Sequence, residues 1–273
     1  MVNEYSVEVE RQLPWNMVVS ATYMRREGRR NIGPQNVAVP LASYIPLQVT
    51  EATSGRQVTV YNQSPALIGK FDVLWDNVPA LDSTYNGADL VVNKRLSDGW
   101  MLMAGASFGR TLGDIFCNNS VTCTSAASDM NNPNFAFRQG LLGNDVPVSL
   151  RMSGLYQMRW GVSVSATAQR FTGFPENTTV LVSGNTVKLT QVSQSVVIEP
   201  RGTTRPPAVN SLDVSLRKTW KYRSVVFEPV LDAYNLMNAA SLLSRVTQLG
   251  PTYLTPVTIQ RGRLIKLGVN VSF

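Results

Sequence analysis

The chain has 273 residues, of which 44% are hydrophobic and only 16% are charged, with a net charge of +7 and no histidine. No apolar run approaches the roughly 18 residues that a transmembrane helix needs, so a helical membrane protein is excluded. The lack of histidine excludes Ser-His-Asp and Cys-His triads, as well as zinc or haem sites with histidine ligands. The sequence predicts no cofactor.

The positive charge is scattered along the chain, apart from one cluster formed by Arg25, Arg26, Arg29 and Arg30. This cluster lies where a predicted strand gives way to a loop. A solvated loop or a collar that faces lipid headgroups explains it better than a nucleic-acid site, which would need a broader basic face. We therefore expect no nucleic-acid partner.

Apolar and polar residues alternate with a period of two along most of the chain, which predicts β-strands with one apolar and one polar face. About nine strands are predicted by this pattern, around residues 5–9, 17–23, 88–92, 100–108, 148–156, 162–169, 212–216, 225–233 and 265–273. Helical periodicity is nowhere sustained. Several of these strands have about ten residues, the length that crosses a bilayer at a tilt of about 45°.

Short and long connections alternate strictly between the predicted strands. The short ones fall at 13–16, 97–99, 159–161 and 221–223, and the long polar ones at 27–81, 111–146, 172–208 and 236–261. In an up-and-down meander, all short turns then meet at one rim (the turn rim) and all long loops at the other (the loop rim), as in outer-membrane barrels. The sequence therefore predicts an all-β, antiparallel meander of about nine long transmembrane strands.

Aromatic residues gather at the turn rim, where an interfacial girdle is expected because amphipathic rings favour the boundary between hydrocarbon and headgroups. Four of the five tryptophans lie there at equivalent positions. The predicted girdle consists of Trp15, Trp100, Trp160, Trp220, Tyr222 and Phe273.

The alternation assigns side chains to the two faces of the predicted sheet. The lipid side is expected to carry Ile265, Leu267, Val269, Leu150, Met152, Val162 and Val164. Candidate substrate-binding residues on the lumen side are Arg151, Asp213, Glu228 and Asp232. Lumen carboxylates are more often hydrated wall residues than a catalytic pair. The stretch GASFG matches the nucleophile-elbow pattern, but Ser107 lies inside a predicted strand without a histidine, so we predict that the protein is not an enzyme.

The only two cysteines, Cys117 and Cys123, flank the polar stretch NNSVT in the second long loop. Two cysteines that close a small polar loop suit a disulfide in an oxidising compartment better than a metal site, which would need further ligands. We predict a disulfide and no metal site. A separate expectation concerns Pro229, which cannot donate to a strand ladder and should cause a bulge or a local break.

Three stretches, RGTTRPPAVNSLDVSLRKTW, DAYNLMN and the terminal LGVNVSF, resemble the last strands of TonB-dependent outer-membrane receptors, particularly the Oar-like group. The resemblance implies the C-terminal portion of a 22-stranded barrel, with residues 1–273 forming one partial receptor barrel that lacks the plug and the N-terminal strands. It also implies that Met1 is an internal or artificial start. In this family the last strand ends in an aromatic residue that the barrel assembly machinery reads, so Phe273 is expected to be an assembly signal.

The resemblance implies location in the outer membrane of a Gram-negative bacterium and active uptake or translocation of an unidentified extracellular substrate. The expected partners are outer-membrane lipid, the barrel assembly machinery and, through the missing N-terminal part, the TonB complex. One alternative is a barrel that anchors surface loops for adhesion or assembly. A further alternative is a secreted soluble β-sandwich that binds carbohydrate, which would bury the apolar face in a two-sheet core.

Overall fold

The computed structural model describes residues 1–51, 54–114, 132–134 and 139–273. In these parts of the chain the structure consists of β-strands, turns and short 3-10 segments at Leu41–Ser43, Pro65–Leu67, Pro79–Leu81 and Arg159–Gly161, with no α-helix. The last of these segments is a tight turn with left-handed backbone at Trp160. None of the helices in the described residues has the length and apolarity to cross a bilayer.

The strands are numbered in chain order. They are β1 (Val2–Leu13), β2 (Met17–Gly28), β3 (Ile32–Asn36), β4 (Tyr44–Thr50), β5 (Gln57–Gln63), β6 (Val73–Asn77), β7 (Ser83–Ser97), β8 (Trp100–Asp114), β9 (Gln139–Leu141), β10 (Val148–Gln157), β11 (Val162–Phe171), β12 (Thr179–Ser183), β13 (Ser193–Val197), β14 (Val209–Lys218), β15 (Trp220–Tyr222), β16 (Val225–Tyr234), β17 (Leu242–Arg245), β18 (Pro256–Ile259) and β19 (Leu264–Ser272).

The main sheet is an antiparallel meander. Its nine long strands are ordered β1-β2-β7-β8-β10-β11-β14-β16-β19, and two short strands, β9 beside β8 and β15 beside β16, bring the total to eleven. All of these pairings are antiparallel. The predicted set of about nine long strands is therefore confirmed.

The turn rim is built from tight hairpins with left-handed backbone. Trp15 and Asn16 both have positive φ (62° and 57°), and so do Trp160 and Gly161 (64° and 73°). Paired positive-φ residues match the right-handed twist of the flanking strands. A non-glycine residue in this region costs about 1–2 kcal/mol. Two tryptophans nevertheless occupy such positions, and Trp160 is 85% exposed, as a girdle residue requires.

Register fixes the two faces of the sheet, because directly opposed residues point to the same side. One row across five strands is Val9, Ala21, Leu90, Ala106 and Leu150, and another is Val164, Leu216, Leu231 and Leu267. We call this side the apolar face. The opposite side, the polar face, carries rows such as Glu8, Thr22, Asp89, Ser107 and Ser149, or Ser165, Ser215, Asp232 and Lys266.

The seven side chains predicted to face lipid all lie on the apolar face, and several are strongly exposed. Leu267 is 79% exposed, Ile265 60% and Met152 49%. A two-sheet core would have buried them. The arrangement instead agrees with a sheet whose apolar side contacts hydrocarbon, and the carbohydrate-binding sandwich loses its structural basis.

Pro229 produces the expected local break. It stays within β16 and pairs with Val269 of β19, whereas on the other side the ladder with β14 ends at Arg217 and Val230 and resumes with β15 at Trp220 and Phe227. The missing N–H of proline leaves one ladder bond unmade on that side. The register is the same before and after the gap, so the sheet accommodates proline without a bulge.

The buried hydrophobic core lies in the long connections. Its members are Val49, Val58, Val60, Val180, Val182, Val196 and Ile198, which belong to the hairpin β4-β5, the hairpin β12-β13 and the residue after it. Our description of these connections as polar loops is therefore wrong in this respect. Each hairpin has only five to seven residues per strand, too few to bury a face alone, so two hairpins from different loops pack together.

The assignment of faces predicts that an added charge destabilises the protein much more on the apolar face than on the polar face. In the full-length protein, Met152→Arg places a cation on the apolar face near mid-sheet, so we expect the free energy of unfolding in lipid vesicles to fall by about 2–4 kcal/mol. The neighbouring change Ser153→Arg points to the polar face and should cost under about 1 kcal/mol. Urea unfolding followed by tryptophan fluorescence measures both. Equal losses would contradict the assignment of faces.

Candidate functional site

A cavity of about 770 Å³ opens on the polar face beside the loop rim. Its floor is formed by β2, β7, β8, β10 and β11, and segments of the long connections close it from above. The residues that shape it most are Arg26, Tyr85, Gly105, Ser107, Arg151 and Phe171. This is the size of a small-molecule site, which commonly has a volume of about 300–1,000 Å³.

Small residues on β8 make the floor of the cavity concave. Gly105, Ser107 and Gly109 alternate on the polar face, and the Tyr85 ring lies over this part of the sheet. A Cβ atom at Gly109 would come within 2.8 Å of Tyr85 Cε2, and one at Gly87 would meet the Tyr85 hydroxyl at 2.1 Å. Glycine at these two positions therefore lets the tyrosine ring lie flat against the strands. Ser107 is an ordinary strand residue, as predicted for GASFG.

Two further aromatic residues line the cavity. Phe171, the last residue of β11, and Phe174, in the connection that follows, have ring centroids 6.0 Å apart in a tilted arrangement. This distance is within the range of favourable aromatic pairs. The cavity thus combines aromatic walls with a floor of glycine and serine.

Two arginines supply positive charge to the cavity. Arg26 Nε lies 3.4 Å from Glu4 Oε2, and both side chains are about half exposed. Arg151 lies opposite Gly105 of β8 and Gln169 of β11, and in the described part of the chain no ion pair joins it to a carboxylate. Arg151 is therefore the candidate whose guanidinium can bind an anionic group without breaking an ion pair to a described residue.

The three predicted carboxylates lie on the polar face but outside the cavity. Asp213 Oδ1 accepts a hydrogen bond from the backbone N–H of Asn235 (2.8 Å), at the loop rim. Asp232 lies opposite Ser215 and Lys266. The structure therefore brings only Arg151, of the four candidates, to the cavity.

Glu228 belongs to a separate polar cluster near the turn rim. It accepts hydrogen bonds from Thr219 Oγ1 and Asn270 Nδ2, both at 3.2 Å, and its Oε1 lies 3.8 Å from Arg217 Nη1. These neighbours satisfy the carboxylate. Within the described residues, no group of three His, Cys, Asp or Glu side chains could hold a metal ion.

Buried ion pairs hold the long connections over the cavity. Asp145 is fully buried, accepts from the backbone N–H of Thr111 (2.6 Å) and pairs with Arg205 Nη2 at 2.5 Å. Arg205 Nη1 also donates to the carbonyls of Asp145 and Gly173 (3.1 and 3.0 Å). The pair of Asp145 and Arg205 thus joins β8 to two successive long connections.

Two further contacts tie the loops to each other. Arg245 of β17 and Glu176 form an ion pair at 2.7 Å, with both side chains nearly buried. Arg201 Nε donates to Asn177 Oδ1 at 2.9 Å. Burial lowers the pKa of the Arg201 guanidinium, and the nearby Asp114 carboxylate acts in the opposite direction. The loop layer is therefore a cross-linked polar and apolar structure.

Two other predicted sites remain predictions. Cys117 and Cys123 lie outside the described residues. Phe273 is 99% exposed at the end of β19, which places it at the turn rim with the other girdle residues, and its role as an assembly signal is untested.

Sequence reasoning missed most of the cavity. Tyr85 and Phe171 lie near strand ends, where alternation fades, and Phe174 lies in the connection after β11, so the side on which each ring lies could not be assigned. The available signal was the period-two run of glycine and serine in GASFG, which indicates a strand face with space above it. Asp145 and Arg205 are 60 residues apart in the chain, and nothing local to either residue predicts their contact.

The bridge between Asp145 and Arg205 gives a test of the loop layer. Arg205→Ala leaves a buried carboxylate without its cation, so we expect the free energy of local opening around residues 139–147 to fall by about 3 kcal/mol. Arg217→Ala removes a half-exposed pair and should change it by less than about 1 kcal/mol. Hydrogen exchange of the full-length protein in detergent measures both. Unchanged protection in the Arg205 variant would contradict the structural role.

With the fold and cavity described, comparison with known proteins identifies the family. Residues 1–196 match the sequence model of the outer membrane beta barrel domain. No curated protein sequence matches the chain.

Solved outer-membrane proteins share the fold at low sequence identity. The outer membrane transporter YddB from Escherichia coli has a TM-score of 0.53 and 10% identity, covering 98% of this chain and 32% of that chain. FpvA of P. aeruginosa, solved with bound heterologous pyoverdines, has a TM-score of 0.52 and 9% identity, covering 98% of this chain and 26% of that chain. The chain thus spans about a third or less of the length of these proteins.

The family match covers well over half of the chain, and the solved proteins share its fold. The chain belongs to the outer membrane beta barrel domain family, and its sheet lies in the outer membrane of a Gram-negative bacterium.

Proposed function

We propose that residues 1–273 form the C-terminal part of the barrel of a TonB-dependent receptor of the Oar-like group, with 22 strands in the complete barrel. In this proposal the plug and the N-terminal strands belong to the same protein, and the receptor takes up or translocates an unidentified substrate. The observation that carries the proposal is the cavity on the polar face, beneath a cross-linked loop layer. The opposite side of the same sheet is the apolar face, which contacts lipid.

The open sheet supports the larger barrel. Among the described strands, β1 and β19 each pair on one side only. Unpaired strand edges are not tolerated in hydrocarbon, because their backbone N–H and C=O groups would lose hydrogen bonds to water without replacement. Further strands that pair with β1 and β19 would satisfy both edges. The coverage of about a third of a transporter chain is consistent with this arrangement.

The cavity supplies the first part of a substrate route. Substrate would enter through the loop layer and meet Arg151 and the aromatic walls of Phe171 and Phe174. Asp213, Asp232 and Glu228 would line the wall of the conduit on the strands β14 and β16. The outer membrane has no energy source of its own, so TonB, acting through the plug, would supply the driving force.

Adhesion or assembly is the second candidate, and it has one observation of its own. The first long connection exposes several large apolar side chains, with Phe71 68% exposed, Trp75 51% and Ile68 50%. Exposed apolar patches often mark protein interaction sites. In this reading the barrel is an anchor and the loop layer is the working surface.

Two smaller proposals concern assembly and oxidation. Phe273 would be read by the barrel assembly machinery, as in the resembling family. Cys117 and Cys123 would form a disulfide in the connection between β8 and β9. Neither proposal affects the choice between transport and adhesion.

TonB binding separates the two candidates. We expect the full-length protein in detergent to bind the purified periplasmic domain of TonB, and deletion of the TonB-contacting segment near its N-terminus to weaken binding at least about tenfold, or 1.4 kcal/mol. Surface plasmon resonance measures this. As the matched control, Phe71→Ser in the loop layer should leave binding unchanged. A full-length protein that does not bind TonB would contradict transport and favour adhesion.

A further inference from the structure

A tryptophan and an arginine recur ten residues apart on three strands that run from the turn rim to the loop rim. The pairs are Trp15 with Arg25, Trp100 with Arg110, and Trp160 with Arg170. The arginines lie on β2, β8 and β11. Ten is an even number, and side chains an even number of residues apart in a strand point to the same face. If each strand is extended back to its tryptophan, the tryptophan and the arginine therefore lie on the same face.

The spacing matches the thickness of the apolar band. Ten strand residues rise about 33 Å along the strand, and at a tilt of about 45° this corresponds to about 23 Å across the membrane. The apolar band of an outer-membrane barrel is about 25 Å tall. With the tryptophans in the girdle at the turn rim, the three arginines lie at the opposite membrane interface.

The register shows the boundary directly. The row Val7, Tyr23, Ala88, Phe108 and Val148 is apolar, and the next row towards the loop rim is Tyr5, Arg25, Asn86 and Arg110. Both rows lie on the apolar face. Between these two adjacent rows, which are two residues apart along each strand, the side chains change from apolar to hydrogen-bonding. Arg25 and Arg110 flank Asn86, and strand spacing places their Cα atoms about 10 Å apart.

The three arginines are exposed and have few partners within the protein. Arg170 Nη1 donates to the neutral amide oxygen of Asn210 (3.0 Å), and no ion pair to a described residue is formed by Arg110 or Arg170. Arg25 pairs with Glu27 at 2.5 Å, but 47% of its side chain remains exposed. In the rest of the basic cluster, Arg26 pairs with Glu4 on the polar face. Arg29 pairs with Glu27, the partner of Arg25, at 3.3 Å and with Asp82 at 3.4 Å.

We propose that Arg25, Asn86, Arg110 and Arg170 bind the phosphate groups of lipopolysaccharide in the outer leaflet. The guanidinium fork matches phosphate oxygens in bidentate geometry. The Tyr23 hydroxyl lies 3.4 Å from Asn86 Oδ1, so the Asn86 amide nitrogen is left to donate to the same phosphate. The lipid A acyl chains would then contact the adjacent apolar row, beginning at Phe108 and Tyr23.

This interaction holds whether the protein transports a substrate or displays its loops, because it depends only on the loop rim facing outwards. It also explains the basic collar without a nucleic-acid partner. The phosphates would neutralise Arg110 and Arg170, which form no ion pair within the described residues, and would add a second anionic partner to Arg25, which pairs with Glu27.

The test uses the full-length protein, folded in uncharged detergent without lipopolysaccharide. Fluorescent diphosphoryl lipid A is the probe, and microscale thermophoresis gives its Kd. In the triple variant Arg25→Gln, Arg110→Gln and Arg170→Gln, we expect Kd to rise by about a hundredfold, since each arginine near a charged surface contributes about 1 kcal/mol and 1.4 kcal/mol is tenfold. Raised salt should weaken binding to the unsubstituted protein. Arg110→Gln alone should raise Kd severalfold and tests the proposal if the triple variant does not fold.

The matched control is Arg11→Gln, because Arg11 lies on the same face near the turn rim, opposite Val19. Its Kd should equal that of the unsubstituted protein. Dephosphorylated lipid A should bind weakly, and phosphatidylglycerol should compete poorly with the probe. Heat-modifiable migration in gels confirms that each variant is folded. The proposal is overturned if folded arginine variants bind as before, if Arg11→Gln causes the same loss, or if phosphatidylglycerol or dephosphorylated lipid A binds equally well.

Discussion

The structure depends on one constraint: backbone N–H and C=O groups in hydrocarbon must be paired within the protein, because lipid offers no hydrogen bonds. Neighbouring long strands meet it through antiparallel ladders, such as the twelve-residue pairing of β1 with β2. Once the ladders exist, the side-chain period of two determines which residues contact lipid, since each strand residue points to the apolar or the polar face. Even Pro229 is accommodated without a shift of register.

Because the sheet turns its apolar face outwards, the hydrophobic core lies elsewhere. The residues buried together come from short hairpins in the long connections, with Val60 fully buried between them. A soluble-like layer is thus stacked on a membrane sheet, and ion pairs such as Asp145 with Arg205 tie the two together. The cavity lies where they meet, so loop packing determines its shape as much as the strands do.

Local pattern was sufficient for the sheet and insufficient for the site. Alternation in stretches such as Val162 to Gln169 predicts both the strand and its faces, since each side chain has only two directions available. The loop hairpins alternate too, as in QVTVYNQ, but their core forms between β5 and β12, more than a hundred residues apart. Of the candidate lumen residues, Arg151 reaches the cavity because a glycine lies opposite it, a pairing that register alone reveals.

The central claim is that one face of this sheet contacts hydrocarbon and the other contacts water. Spin labels placed singly at residues 150–155 of β10, in full-length protein in liposomes, test it most directly through collision with oxygen and with a water-soluble nickel complex. The account predicts oxygen maxima at Leu150, Met152 and Gly154 and nickel maxima at Arg151, Ser153 and Leu155, because the two reagents partition into opposite environments. Low accessibility to both reagents at Leu150 and Met152, as in a buried two-sheet core, would contradict it.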